Sequence, residues 1–148
     1  MRDGYMRSDP RFAAWQAGVR DGLALDGSWS SAVSYAASRG IVVRRARIVS
    51  EPVSDYVRFE HHLTGANIAT GEQVRWLPRR RASDLPLPGN DFWLFDEEVA
   101  VFHHFDGDGE LAPDDEEVRT DAAAVTLCAT AFAAVWDRAI PHAEYVIG

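Results

Sequence analysis

Lysine is missing from this sequence. All 15 basic residues are arginine, which removes the chemistries that depend on a primary amine, such as a phosphate-binding loop with its lysine or a Schiff base with a carbonyl substrate. So complete an arginine bias fits a GC-rich genome and is a clue to source rather than to mechanism. Cysteine is almost missing too. Cys128 stands alone, so no intrachain disulfide and no cysteine-based zinc site can form, and its alanine-rich helical surroundings make it a core filler. Charge interrupts every apolar run before the roughly 18 residues that a membrane span requires. The opening MRDGYMRSDP has no signal-peptide apolar core. These absences predict a soluble, cytoplasmic protein with no membrane partner.

What is present suffices for one core. The chain has 148 residues, 47% of them hydrophobic and 5 of them tryptophan, the size of an ordinary single domain. The formal net charge of -8 opposes direct nucleic-acid binding, because the mean field repels phosphate. The charge is nonetheless segregated: Arg44, Arg45 and Arg47 form one basic segment and Arg75, Arg79, Arg80 and Arg81 another, while acids crowd the stretch from Asp96 to Asp121.

The hydrophobic spacing predicts a helical lead-in over residues 1–40 and an α+β core over 41–148. PRFAAWQAGVRDG reads as a helix with Pro10 in its first turn and Gly22 as its stop; SWSSAVSYAASRG reads as a second, capped by Ser28 and ended by Gly40. IVVRRARIV is a strand, SEPVSDYVRFEHHLTG a helix closed by Gly65, and GEQVRWLP a short strand. Two prolines make RRRASDLPLPGN a loop. DFWLFD and VAVFHHF form an antiparallel hairpin of nearly continuous apolar residues, so Phe92 to Phe95 read as buried strand. ELAP is a brief further strand after the DGDGE turn. The last and longest helix lies within TDAAAVTLCATAFAAVWDRAIPHAEY, capped by Thr120 or Asp121. The expected fold is α+β, with four to five mostly antiparallel strands packed against helices.

The site signals are weak by comparison. Adjacent His61-His62 and His103-His104 cannot chelate as pairs, because neighbouring side chains diverge on a helix and alternate on a strand. HFDGDGELAPDD matches a calcium loop only in part, since His104 stands at the first ligand position and Asp115 at the last, where a bidentate Glu belongs. No serine lies in a nucleophile elbow and no Cys-His signature surrounds Cys128. No metal, cofactor or catalytic residue is therefore assigned, and an enzyme is the less favoured class. The remaining candidate is RWLPRRRASDLPLPGNDFWLFDEE. Here Arg75, Trp76, Arg79, Arg80 and Arg81 offer guanidinium forks and an aromatic to a partner's carboxylates or to a phosphate. Asp91, Asp96 and His103 are the residues with which that loop would enclose a pocket.

ARIVSEPVSDYVRFE, followed by GEQVRWLPR, DFWLFD and WDRAIPHAEY, resembles the actinobacterial domain of unknown function family 6879 over about Arg44 to Tyr145. The resemblance implies a regulatory or interaction protein from genomes of the Streptomyces kind, found beside Xre-type helix-turn-helix regulators in arrangements like toxin-antitoxin or developmental switch modules. It carries no catalytic residues over. The order of elements from Val74 to Trp136 is also similar to half of a phospholipase-D-like domain, but without the His-Lys-Asp motif, which implies a binding or dimerising relative that lacks the chemistry. Two readings follow: a non-enzymatic module that binds a protein partner, with a homodimer left open, or a small-molecule or phosphate-ester site between the arginine loop and Asp91 and Asp96.

Overall fold

The computed structural model describes residues 3–6, 8–23 and 27–148. Helix α1 (Pro10–Gln16) starts where the sequence places it, with Asp9 accepting the Arg11 N–H at 2.8 Å. It ends well before Gly22, because Gly18 turns the chain at a φ of 97°. Helix α2 (Gly27–Ser38) begins two residues earlier than a Ser28 cap implies, so Ser28 lies inside it and the capping position falls outside the described residues.

Strand β1 (Arg44–Val49), helix α3 (Asp55–Ala69) and strand β2 (Gln73–Pro78) form a βαβ unit. A helical crossover returns the chain to the same end of the sheet, so β1 and β2 pair in parallel, with Arg47 opposite Trp76 and Ile48 opposite Leu77. Ser54 caps α3 by accepting the Val57 N–H at 3.2 Å. The helix passes through Gly65, the expected stop, because its inward stripe continues through Leu63, Thr64 and Asn67. An interior glycine costs only about 1 kcal/mol, which the charge-assisted bond from Asn67 to the buried Glu72 offsets. The actual turn is at Gly71, where φ is 108° and an added Cβ would lie 2.8 Å from the Ala37 Cβ of α2. Backbone conformation and close approach both demand glycine there.

Strands β3 (Asp91–Phe95), β4 (Val99–Phe105) and β5 (Leu111–Arg119) make a separate antiparallel meander. Asp96 and Glu97 take positive φ of 49° and 58° in the first hairpin turn. In the second, the Asp106 carboxylate accepts the N–H groups of Asp108 (2.9 Å) and Glu110 (3.0 Å). The acidic run expected to be mostly loop is instead the long edge strand β5. Charged residues are poor strand formers where a face is buried, but β5 is solvated along most of its length, where charge also protects a free edge. The aromatic strand is less buried than its composition suggests, and Phe95 is exposed.

Helix α4 (Ala122–Arg138) is capped by Asp121, which accepts the Ala124 N–H at 3.1 Å, and buries Val125, Cys128, Ala131 and Val135. It leads to β6 (Ile140–Pro141), antiparallel to β2, and to a 3-10 turn at His142–Glu144. The α+β class, the mostly antiparallel pairing and the long C-terminal helix are those read from the sequence. The strands, however, divide between two three-stranded sheets, β1-β2-β6 and β3-β4-β5.

Alternation along β1 and β2 distributes the core. Val49, Val74 and Trp76 join Val53 and Val57 on the α3 side, with Tyr145 from the C-terminal segment; Ile48 and Leu77 meet Val135 of α4 and Ala139 just after it on the other. The arginines alternate too. Arg44 and Arg75 lie over the Trp136 ring of α4, while Arg45 faces Trp29 of α2 and Trp93 of β3, at 5.3 and 5.0 Å from the ring centres. Arg45 donates through Nε to Glu72, a carboxylate only 2% exposed that also accepts Trp29 Nε1 (3.2 Å) and Asn67 Nδ2 (3.0 Å). Desolvation and the nearby Arg47 pull the Arg45 guanidinium down from its ordinary pKa, and Glu72 works against them. Replacing Glu72 by alanine would leave a largely buried cation without its anion, so Glu72→Ala should destabilise the fold by about 3–5 kcal/mol in urea titrations.

Candidate functional site

Because β1 and β2 are parallel, the segments that leave them emerge side by side. Ser50 and Glu51 follow β1, and Pro78 leads from β2 into a 3-10 turn at Arg79–Ala82. Between them lies an open cleft of about 330 Å³ lined by Ser50, Glu51, Pro78, Arg79, Arg80 and Ser83. The carboxyl ends of parallel strands are the usual position for a ligand crevice in such units.

Arg79 ties the turn to the scaffold. Its Nε donates to Ser50 Oγ at 3.0 Å, and its Nη2 donates to the Ile48 carbonyl at 3.3 Å and to both Asp3 carboxylate oxygens at 3.4 Å. Asp3 also accepts the Ser50 N–H at 2.7 Å and the Ser50 hydroxyl at 2.6 Å. Burial pushes the Asp3 carboxyl up, but these hydrogen bonds and the Arg79 charge outweigh it, leaving the pKa below its ordinary value. On the other flank Arg138 donates to the Arg81 carbonyl at 3.0 Å and forms a two-pronged pair with Asp84 at 2.6 and 2.9 Å. Arg80 and Arg81 project from this braced turn. Arg80 has a side chain 83% exposed and meets Glu51 only at 3.5 Å; Arg81 is exposed.

Glu51 connects the cleft to the layer beneath. It accepts the Tyr145 hydroxyl at 3.0 Å, and the Tyr145 ring stacks on Trp76 with centroids 5.6 Å apart and planes 7° from parallel. Burial, then Glu51, pushes the Tyr145 hydroxyl up to about 12. Trp76 donates Nε1–H to His142 Nδ1 at 3.1 Å, which fixes His142 as the acceptor at that nitrogen. The His142 ring lies 4.4 Å from that of His61, whose Nε2 is buried without a partner. Desolvation lowers both imidazoles, and mutual repulsion adds to it at His142.

The interaction face expected from the sequence therefore divides. Trp76 is fully buried and cannot anchor a partner, because Val74 and Trp76 point into the α3 side of the sheet. Arg75, on the opposite face, donates to the Trp136 carbonyl at 3.0 Å and packs 4.3 Å from that ring. Arg79 is a brace, and Arg80 and Arg81 remain available. The expected pocket does not assemble. Asp91 and His103 are cross-strand neighbours, but Asp96 lies in the exposed turn at the other end of β3, about 16 Å away at ~3.3 Å per strand residue. The concave space beside the arginines is lined by other residues. Among the described residues no three His, Cys, Asp or Glu side chains converge to hold a metal ion.

Sequence reasoning missed Asp3, Ser50, Glu51 and Ser83. A usable signal was present: a strand, a helix and a strand in succession imply a parallel pair, which brings Ser50-Glu51 and Arg79-Arg80 together. His142 and Tyr145 carried no local signal.

A histidine whose pKa is lowered by folding takes up its proton preferentially in the unfolded chain. The His61–His142 packing is thus fully stabilising above the ordinary imidazole pKa of 6.5 and is lost as the pH falls below it. Denaturation midpoints measured across that window should fall more steeply for the parent than for His142→Asn; identical slopes would contradict the assignment. Among the described residues no helix is long and apolar enough to cross a membrane. No curated protein and no solved structure matches the chain. The model of one family, described as a domain of unknown function, matches residues 1–147 and so includes the N-terminal helices as well as the motifs from Arg44 onward; the chain belongs to that family, DUF6879.

Proposed function

We propose that this protein is a non-enzymatic interaction module that binds a protein partner through the arginine turn at Arg79–Ala82. The observation that carries this reading is the asymmetry of the turn. Arg79 and Arg138 hold its backbone from two sides, while Arg80 and Arg81 extend into solvent. A braced turn loses little conformational entropy on binding, and arginine is among the residues that most often dominate an interface. The partner surface should be acidic, with carboxylates spaced for guanidinium forks. A helix-turn-helix regulator is the candidate that the family's gene neighbourhoods suggest, and the role would then be regulatory.

Co-purification with the adjacent regulator tests the proposal. Arg80→Glu and Arg81→Glu should each weaken the complex by about tenfold or more, the effect of losing roughly 1.4 kcal/mol at an interface. Arg119→Glu, on the distant strand β5, should leave it intact. An unchanged complex with both turn substitutions combined would refute this use of the turn.

A further inference from the structure

The Asp3 contact has the composition of an occupied anion site. One carboxylate, delivered by the N-terminal segment, receives the Ser50 N–H, the Ser50 hydroxyl and the Arg79 guanidinium. The donors come from the ends of two different strands, and their placement follows from the parallel pairing of β1 and β2 rather than from Asp3. The adjoining cleft of about 330 Å³ is open, and it adds Arg80 and Ser83 to Ser50 and Arg79. That volume lies within the range of small-ligand pockets, about 300–1,000 Å³.

We propose that this cradle binds the phosphate of a small phosphate monoester, and that Asp3 is an internal competitor that fills it when the ligand is absent. A carboxylate has two oxygens to offer, whereas a phosphate monoester has three terminal oxygens and a second negative charge. It can engage Ser50 and Arg79 together with Arg80, which holds Glu51 only at 3.5 Å from a side chain 83% exposed and is free to reorient. Glu51 stays on the opposite wall, anchored by the Tyr145 hydroxyl, and its charge restricts the cleft to one anion placed on the Arg79 side. Ser83 donates to the Arg80 carbonyl at 3.1 Å and holds the turn in shape. Asp3 competes by tethering: a group on the same chain acts at an effective concentration on the order of millimolar, so a ligand must bind more strongly than a lone carboxylate to displace it at lower concentration.

The test is titration of the full chain with inorganic phosphate, followed by calorimetry and by the amide resonance of Ser50, with acetate as a parallel arm. Asp3→Ala should bind phosphate at least tenfold more tightly than the parent, with acetate binding more weakly than phosphate, and the Ser50 amide should shift on phosphate addition. Adding Arg79→Ala in that background should abolish the gain. If Asp3→Ala does not fold, as judged by circular dichroism, Asp3→Asn takes its place, since it removes the charge and keeps the size. Equal phosphate affinity in parent and variant, a gain that survives loss of Arg79, or tighter binding of acetate than of phosphate would overturn the proposal. Partner capture by Arg80 and Arg81 is measured by co-purification, so either idea can fail without the other.

Discussion

A carboxylate withdrawn from water ties the two sheets together. Glu72 sits at the entrance to β2 and is satisfied by Arg45 from β1, Trp29 from α2 and Asn67 from α3. Arg45 in turn lies against Trp29 and Trp93, whose rings are 4.9 Å apart. Trp93 belongs to β3, so one buried ion pair and its aromatic walls connect the βαβ unit, the helical lead-in and the second sheet. Such a pair adds little net stability over apolar packing, but its absence in any misdocked arrangement would leave a buried charge exposed to nothing. It therefore acts chiefly on which arrangement of sheets is allowed.

The parallel pairing of β1 and β2, set by the α3 crossover, produces the cleft. With α3 crossing above and α4 lying below, both strands point their carboxyl ends the same way, and the residues that follow them share a wall. Most of the arginines clustered there are committed to the fold. Arg75 packs on α4, Arg79 joins β1 to the N-terminal segment, and Arg138 braces the turn from behind. Guanidinium suits this work because it donates in several directions at once and keeps its charge against an aromatic face. In a chain without lysine, the same residue type provides both scaffold and contact surface, and only burial separates the roles.

Much of the element order was legible in the sequence because periodicity reports which faces are apolar. Asp121 is a local signal of capping, and β2, the aromatic hairpin and α4 stand close to their expected bounds, whereas α3 starts at Asp55 behind the Ser54 cap, later than a helix with Pro52 in its first turn. Gly65 misled because the Asn67 bond to buried Glu72 one half-turn further on offsets its small helical penalty. The acidic β5 misled because strand composition reflects burial, and β5 has little. Trp76 was placed on the surface with the arginines beside it, although in a strand its neighbours necessarily face the other way.

By itself the sequence determined the class of fold, the order of its main helices and strands, and the chemistry excluded by the missing lysine and the single cysteine, since these depend on composition and local spacing. Only the tertiary structure decided which arginines are free, which ring stacks on which, and that Asp3, Ser50 and Arg79 meet. Those contacts join residues far apart in the chain. No local pattern encodes them, because their geometry arises only when the parallel strands and the helices on either side are docked.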